Sequence, residues 1–155
     1  MNSSTKRDFE ITRITRQNIL TTIKELTFDQ VTSIPNGFSN SILWNFMHNM
    51  VTQQLLTYSM VGVKCNLDQD IIDKFRKGSA GDNSISEKEF VTFKEKYISL
   101  INKTENDFHE LQSHEFKTYT TSYNITLNSL EDSIQFINTH EGLHFGIMMA
   151  LKKLV

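Results

Sequence analysis

Two histidines four positions apart stand near the C-terminal end of this 155-residue chain, in the stretch Thr139-His140-Glu141-Gly142-Leu143-His144. On a helix that spacing puts both imidazoles on one face, about one turn apart, where they can share a metal ion. The stretch fits three ligand patterns at once. It is a bare H-x-x-x-H, it is the H-E-x-x-H of zinc peptidases, and through Glu141 and His144 it is the E-x-x-H of di-iron bundles.

The rest of the chain separates these readings. A zinc peptidase needs a third ligand, which the common families take from downstream, but Phe145 to Val155 contains no His, Asp or Glu. A ferritin-like centre needs a second E-x-x-H and further glutamates. The residues three before His48, His109, His114 and His140 are Asn45, Asn106, Leu111 and Ile137, so no second motif exists. A hemerythrin-like H-x-x-x-E is absent too, since Thr52 follows His48 and Ser113 follows His109 at that spacing. What survives is a mononuclear site in which His140 and His144 supply two nitrogens and His48 a third. Three imidazoles with one position left for water or substrate form a catalytic-type site, suited to Zn²⁺, Ni²⁺ or Fe²⁺. The competing reading is three core histidines satisfied by hydrogen bonds.

Four long helices are expected to carry these residues. The first runs from about Arg7 to Leu26, with Phe9, Ile19, Leu20, Ile23 and Leu26 at helical spacing. Arg16 falls among those apolar positions. We expect it exposed or snorkelling rather than reaching inward to an acidic partner. Thr27 to Ser39 reads as a connection, and Ser39 or Asn40 can cap a second helix over about Ser41 to Met60. There Trp44, His48, Val51 and Leu55 share a face, so His48 lies within an apolar stripe and needs a partner for its imidazole.

The span from Gly62 to Ile85 is longer than an antiparallel helix pair needs. It includes a short helix over about Asp70 to Lys77 and a turn marked by Gly78, Gly81, Asp82 and Asn83. A connection of that length can travel back along a helix, which predicts that the second and third helices are parallel. Ser86-Glu87-Lys88-Glu89 fits a capping box opening the third helix, which runs to about Leu111 with Phe90, Phe93, Tyr97, Leu100, Ile101, Thr104 and Phe108 as its stripe. His109 and His114, at its end, read as ordinary polar groups near a helix C-terminus. Lys117 to Asn128 reads as a further connection. Asn128 or Ser129 caps the fourth helix, on which Phe136, Ile137, His140, His144, Ile147, Met148 and Leu151 face one side.

Composition narrows the classes. A chain of this length forms one domain, 1–155, and can bury a core without disulfide or metal. The formal charge of -2 gives no electrostatic case for nucleic-acid binding. The single cysteine, Cys65, cannot form an internal disulfide. No apolar stretch approaches the ~20 residues of a membrane span, and Met1 to Arg13 is unlike a signal peptide. We therefore expect a cytoplasmic protein with no membrane partner.

Several of these residues together resemble a known family. Trp44-Asn45-Phe46-Met47-His48 on one helix, preceded by Ser39-Asn40-Ser41-Ile42, and His140-Glu141-Gly142-Leu143-His144-Phe145-Gly146 on the last resemble the DinB/YfiT-like family, which is distinct from the DNA polymerase of similar name. The resemblance covers most of the chain. It implies an all-α four-helix bundle of up-down-down-up order, with the long crossover between helices 2 and 3, and a three-histidine metal site on His48, His140 and His144. It also implies a homodimer and, from some members, a transferase or isomerase using a low-molecular-weight thiol on a small-molecule substrate. The alternative is a non-catalytic metal-binding or stress-response interaction module. Arg16, Asn45 and Gln54 are candidate pocket residues. Glu141 reads as solvated rather than as a carboxylate behind the ligands, and Trp44 and Met47 as core.

Overall fold

The computed structural model describes residues 1–79 and 85–155. Gly81, Asp82 and Asn83 of the expected turn lie outside the described residues, whereas Gly78 takes up a positive φ of 83°, which glycine adopts without a Cβ clash. The helices are α1 (Ser3–Ile23), α2 (Phe28–Thr32), α3 (Ile42–Thr57), α4 (Gln69–Phe75), α5 (Glu87–Gln112) and α6 (Leu130–Leu151), with a two-stranded antiparallel hairpin, β1 (Tyr119–Thr120) and β2 (Thr126–Leu127), between the last two. The protein is an all-α helical bundle built on α1, α3, α5 and α6. Among the described residues no helix is long and apolar enough to cross a membrane.

Local chemistry sets the helix starts. Asn2 caps α1 by accepting from the Thr5 amide at 2.8 Å, which starts the helix ahead of Arg7. Ser41, rather than Ser39 or Asn40, caps α3 through the Trp44 amide, and Ser129 caps α6 through that of Asp132. The connection after α1 contains the short α2, closed by a capping box between Thr27 and Gln30. The box expected at α5 is present: the Glu89 amide donates to Ser86 Oγ, and the Ser86 amide donates back to Glu89 Oε2 at 2.7 Å. Ser86→Ala should cost about 1 kcal/mol, measurable as a lower urea midpoint with unchanged slope. A change under about 0.2 kcal/mol would show that the cap does not contribute.

Side-chain pairs give the helix directions. From the start of α1, Phe9 meets Phe108, Arg13 meets Glu105 and Arg16 meets the Tyr97 carbonyl, so α1 and α5 are antiparallel. Thr12 meets Asn138, Arg16 meets Glu141 and Lys152 meets the Thr22 carbonyl, so α1 and α6 are parallel. Phe46 packs on Phe90, Gln53 donates to Thr104 and Tyr58 to Asp107, so α3 and α5 are parallel. Along the chain this is up-down-down-up.

The apolar core has two clusters. One holds Ile19, Phe46, Met47, Phe75, Tyr97 and Met148, and the other Phe9, Phe108, Leu127, Ile134 and Ile137. Each long helix contributes to both. Where α1 and α6 pass from one cluster to the other they carry Arg16, then Glu141 and His144, and α3 carries His48 and Asn49 among its apolar residues, all buried. α3 is the central helix, and its polar residues Asn45, Asn49, Gln53, Gln54 and Thr57 are buried as well as its apolar stripe. The result is a polar layer at mid-height between two hydrophobic clusters.

Candidate metal centre

The three sequence-predicted histidines meet in that polar layer. His48 comes from α3, and His140 and His144 from successive turns of α6. One ring nitrogen from each lies within 4.8 Å of the others, and no carboxylate or thiol among the described residues joins the group. Nε2 of His140 and Nε2 of His48 are 3.2 Å apart. Two imidazoles on one tetrahedral ion at ~2.05 Å each would have nitrogens roughly 3.3 Å apart. The spacing therefore fits a metal ion, and the group could hold one.

Two of the rings are fixed by their other nitrogen. Phe75 is the last residue of α4, and its carbonyl is one of those a helix end leaves without an internal partner. His48 Nδ1 donates to it at 2.7 Å. His144 Nδ1 lies 2.7 Å from Asn45 Oδ1, while Asn45 Nδ2 donates to the Ser41 carbonyl at 2.7 Å. That second bond fixes which way the Asn45 amide points, so its oxygen must accept from His144. Both rings then carry their proton on Nδ1 and present an Nε2 lone pair, the arrangement outer partners impose on ligating histidines. His140 differs, because its buried Nδ1 has no hydrogen-bond partner among the described residues. Trp44 stacks on His48 with ring centroids 4.4 Å apart and an interplanar angle of 14°.

Burial holds all three imidazoles neutral. It pushes His140 down to about 2, with the neighbouring His144 and His48 adding to the effect. It pushes His144 down to about 4, again with a contribution from His48. His48 is lowered by burial too, against the opposing pull of the Phe75 carbonyl. Neutral imidazoles are the ligating form, so at neutral pH no proton has to leave before an ion can bind.

Behind the histidines, the structure overturns two expectations. Arg16 is not exposed and Glu141 is not solvated: both are completely buried and paired with each other. Arg16 Nη2 donates to Glu141 Oε1 at 2.6 Å, Nε reaches both carboxylate oxygens at 3.1 Å, and Nη1 donates to the Tyr97 carbonyl at 2.7 Å. The guanidinium also lies 4.7 Å from the centre of the Tyr97 ring. Burial pushes the Glu141 carboxyl up while the Arg16 charge pulls it back. Burial likewise opposes the charge on Arg16, but Glu141 more than offsets it and the guanidinium ends raised. The pair clamps α6 to α1, and neither residue lines the pocket on the histidines' open face.

That open face lines a pocket of about 360 Å³. Thr52, Leu55 and Leu56 of α3, Met60, and Phe136 and Leu143 of α6 form its walls, and Tyr119, Thr121, Ser122 and Tyr123 of the hairpin cover it. The segment expected to be a plain connection thus contributes four lining residues. Asn124, at φ 58°, makes the hairpin turn, and Tyr123 packs edge-on against Phe136 at 5.6 Å. Lys77, two residues beyond α4, is also in the lining. Of the pocket residues expected from sequence, Arg16 is the clamp, Asn45 orients His144, and Gln54 is buried elsewhere, accepting from the Asn66 amide at 2.7 Å. Trp44 and Met47 belong to the core, as expected. His109 and His114 are exposed, and neither joins the histidine cluster.

Compared with known proteins, the chain matches the family model described as the DinB superfamily over residues 11–148. No curated protein matches it.

Proposed function

Because this chain belongs to the DinB superfamily, and because its three inward imidazoles face a pocket, we propose that it is a mononuclear metal-dependent enzyme with His48, His140 and His144 as the protein ligands. Zn²⁺ and Ni²⁺ suit three imidazoles, and Fe²⁺ also fits. The observation that carries the proposal is that one nitrogen of each ring lies within 4.8 Å of the others, His48 Nε2 3.2 Å from that of His140, while Phe75 and Asn45 occupy Nδ1 of His48 and His144. Core histidines satisfied by hydrogen bonds would not leave His140 Nδ1 unpartnered.

Three neutral ligands leave the charge of a divalent ion uncompensated. Held by His48, His140 and His144, a divalent ion would supply Lewis-acid chemistry that favours the deprotonated form of a thiol or water at neutral pH. The reaction we assign is accordingly S-transfer from a low-molecular-weight thiol, with hydrolysis as the alternative outcome. The chain's own contribution is to hold His48 and His144 in one tautomer, to brace α6 through Arg16 and Glu141, and to exclude water with the apolar wall of Leu55, Leu56, Met60 and Phe136.

The test is the metal content of untagged protein beside His48→Ala purified identically. Near one equivalent, lost in the variant, is expected. Trp44 is the only tryptophan and lies on His48, so its fluorescence should respond to Zn²⁺ or Ni²⁺ in the parent alone. No metal in either protein after incubation with both ions would overturn the proposal. With the metal established, a screen of thiols against electrophiles should give rates above those of His48→Ala. Rates no higher would leave a metal-binding module without this chemistry.

A further inference from the structure

The lining of the pocket has a chemical bias that the metal alone does not give it. Its walls are apolar side chains with scattered hydroxyls, and among the described residues its lining contains no carboxylate. Three of the large apolar side chains exposed on the protein surface, Tyr119 and Tyr123 of the hairpin and Leu143 of α6, stand at this one pocket. Exposed apolar groups gathered around a concave site mark a surface that gains by being covered. Among the described lining residues, Lys77 alone carries a formal charge at neutral pH. It has no acidic partner among the described residues, whereas Lys74, one turn earlier, pairs with Asp70 at 2.8 Å.

We infer that the pocket takes a small monoanion with an apolar body, whose chain or ring lies against Leu55, Leu56, Phe136 and Leu143 and whose anionic group meets Lys77. This rests on the reading of the pocket as the substrate site and names the substrate class. Among the described lining residues a cationic ligand would find no counter-charge, and a polyanion would have one lysine and an apolar wall to meet it. The end of α4 and the residues just past it therefore have two tasks. Phe75 anchors His48 through its carbonyl, and Lys77, two residues on, selects the charge of what approaches.

The experiment uses octanoate, octanamide and octylammonium as probes of matched length. Binding is followed by calorimetry on the full chain, both Zn²⁺-loaded and dialysed against a chelator. Octanoate should bind the metal-free protein about fivefold more tightly than octanamide, the scale of one partly exposed ion pair, and octylammonium most weakly. Lys77→Gln should bring octanoate to the level of octanamide and leave octanamide unchanged, which also shows that the variant folds. Three results would overturn the inference: equal binding of octanoate and octanamide, binding of octanoate only to loaded protein with no effect of Lys77→Gln, or no binding of any probe. Metal content measured on the same samples separates the two proposals. Bound metal without the octanoate preference would refute only the ligand class, and the preference without metal would refute only the metal enzyme.

Discussion

Glu141→Ala should destabilise the protein by about 3–5 kcal/mol, the cost of leaving one member of a buried ion pair without its partner. In a domain of this size that lowers the melting temperature by roughly 10 °C. The magnitude follows from burial. Arg7 and Glu10 pair at 2.7 Å on the exposed face of α1, and such a surface pair contributes at most about 1 kcal/mol. Arg16 and Glu141 make a contact of the same length with no solvent on either side, so removing the carboxylate strands a guanidinium that cannot turn to water. Its bond to the Tyr97 carbonyl and its place against the Tyr97 ring offset only part of the loss. The control is Arg16→Met with Glu141→Leu, which removes both charges and keeps most of the volume. That double variant should recover most of the stability and report a coupling well above 1 kcal/mol in the thermodynamic cycle. A Glu141→Ala cost under about 1 kcal/mol would mean that water reaches the pair. Because Glu141 lies between His140 and His144 on α6, the single variant should also weaken metal binding, while the double variant should retain it.

That pair marks where the sequence stops being legible. A charged residue within an apolar stripe reads as a snorkelling surface group, and nothing local to Arg16 reveals a carboxylate 125 positions away. Only the parallel docking of α1 on α6 brings the two together. The histidines could be found because their signal is local: His140 and His144 are set by helical spacing, and His48 by its place within an apolar run. The same holds for the Ser86–Glu89 capping box and for the four long helices, each with a stripe of several turns. α3 misleads in the other direction. Its periodicity implies a polar face turned to solvent, but as the central helix it buries Asn45, Asn49 and Gln53, and so supplies the amide that orients His144. The hairpin was read as a connection because two residue pairs between Tyr119 and Leu127 are too few to show alternation. Lys77 has no pattern at all. Its role comes from its place two residues past the end of α4.

Acidification should destabilise the metal-free protein well before ordinary carboxylate titration begins. An unfolded histidine takes up its proton near pH 6.5, whereas burial holds His140 down to about 2 and His144 down to about 4 in the folded state. Between those values the unfolded chain binds more protons than the folded one, so stability rises with pH and is lost as pH falls. Each histidine kept neutral contributes a slope of roughly 1.4 kcal/mol per pH unit below about pH 6.5. Together the two should lower stability by up to about 4 kcal/mol between pH 6.5 and pH 5, with His48 adding in the same direction. Urea unfolding at pH 7.5, 6.5, 5.5 and 5.0 measures this. His140→Gln should flatten the curve by about one histidine's slope, which separates the imidazoles from every carboxylate in the protein. With Zn²⁺ present the fold should be more stable at pH 7.5 and lose that advantage more steeply on acidification, because the protons that enter must displace the ion. A curve level from pH 7.5 to pH 5.0 in the metal-free protein would mean that the rings are solvated or already protonated when folded, and that the polar layer between the two hydrophobic clusters is open to water.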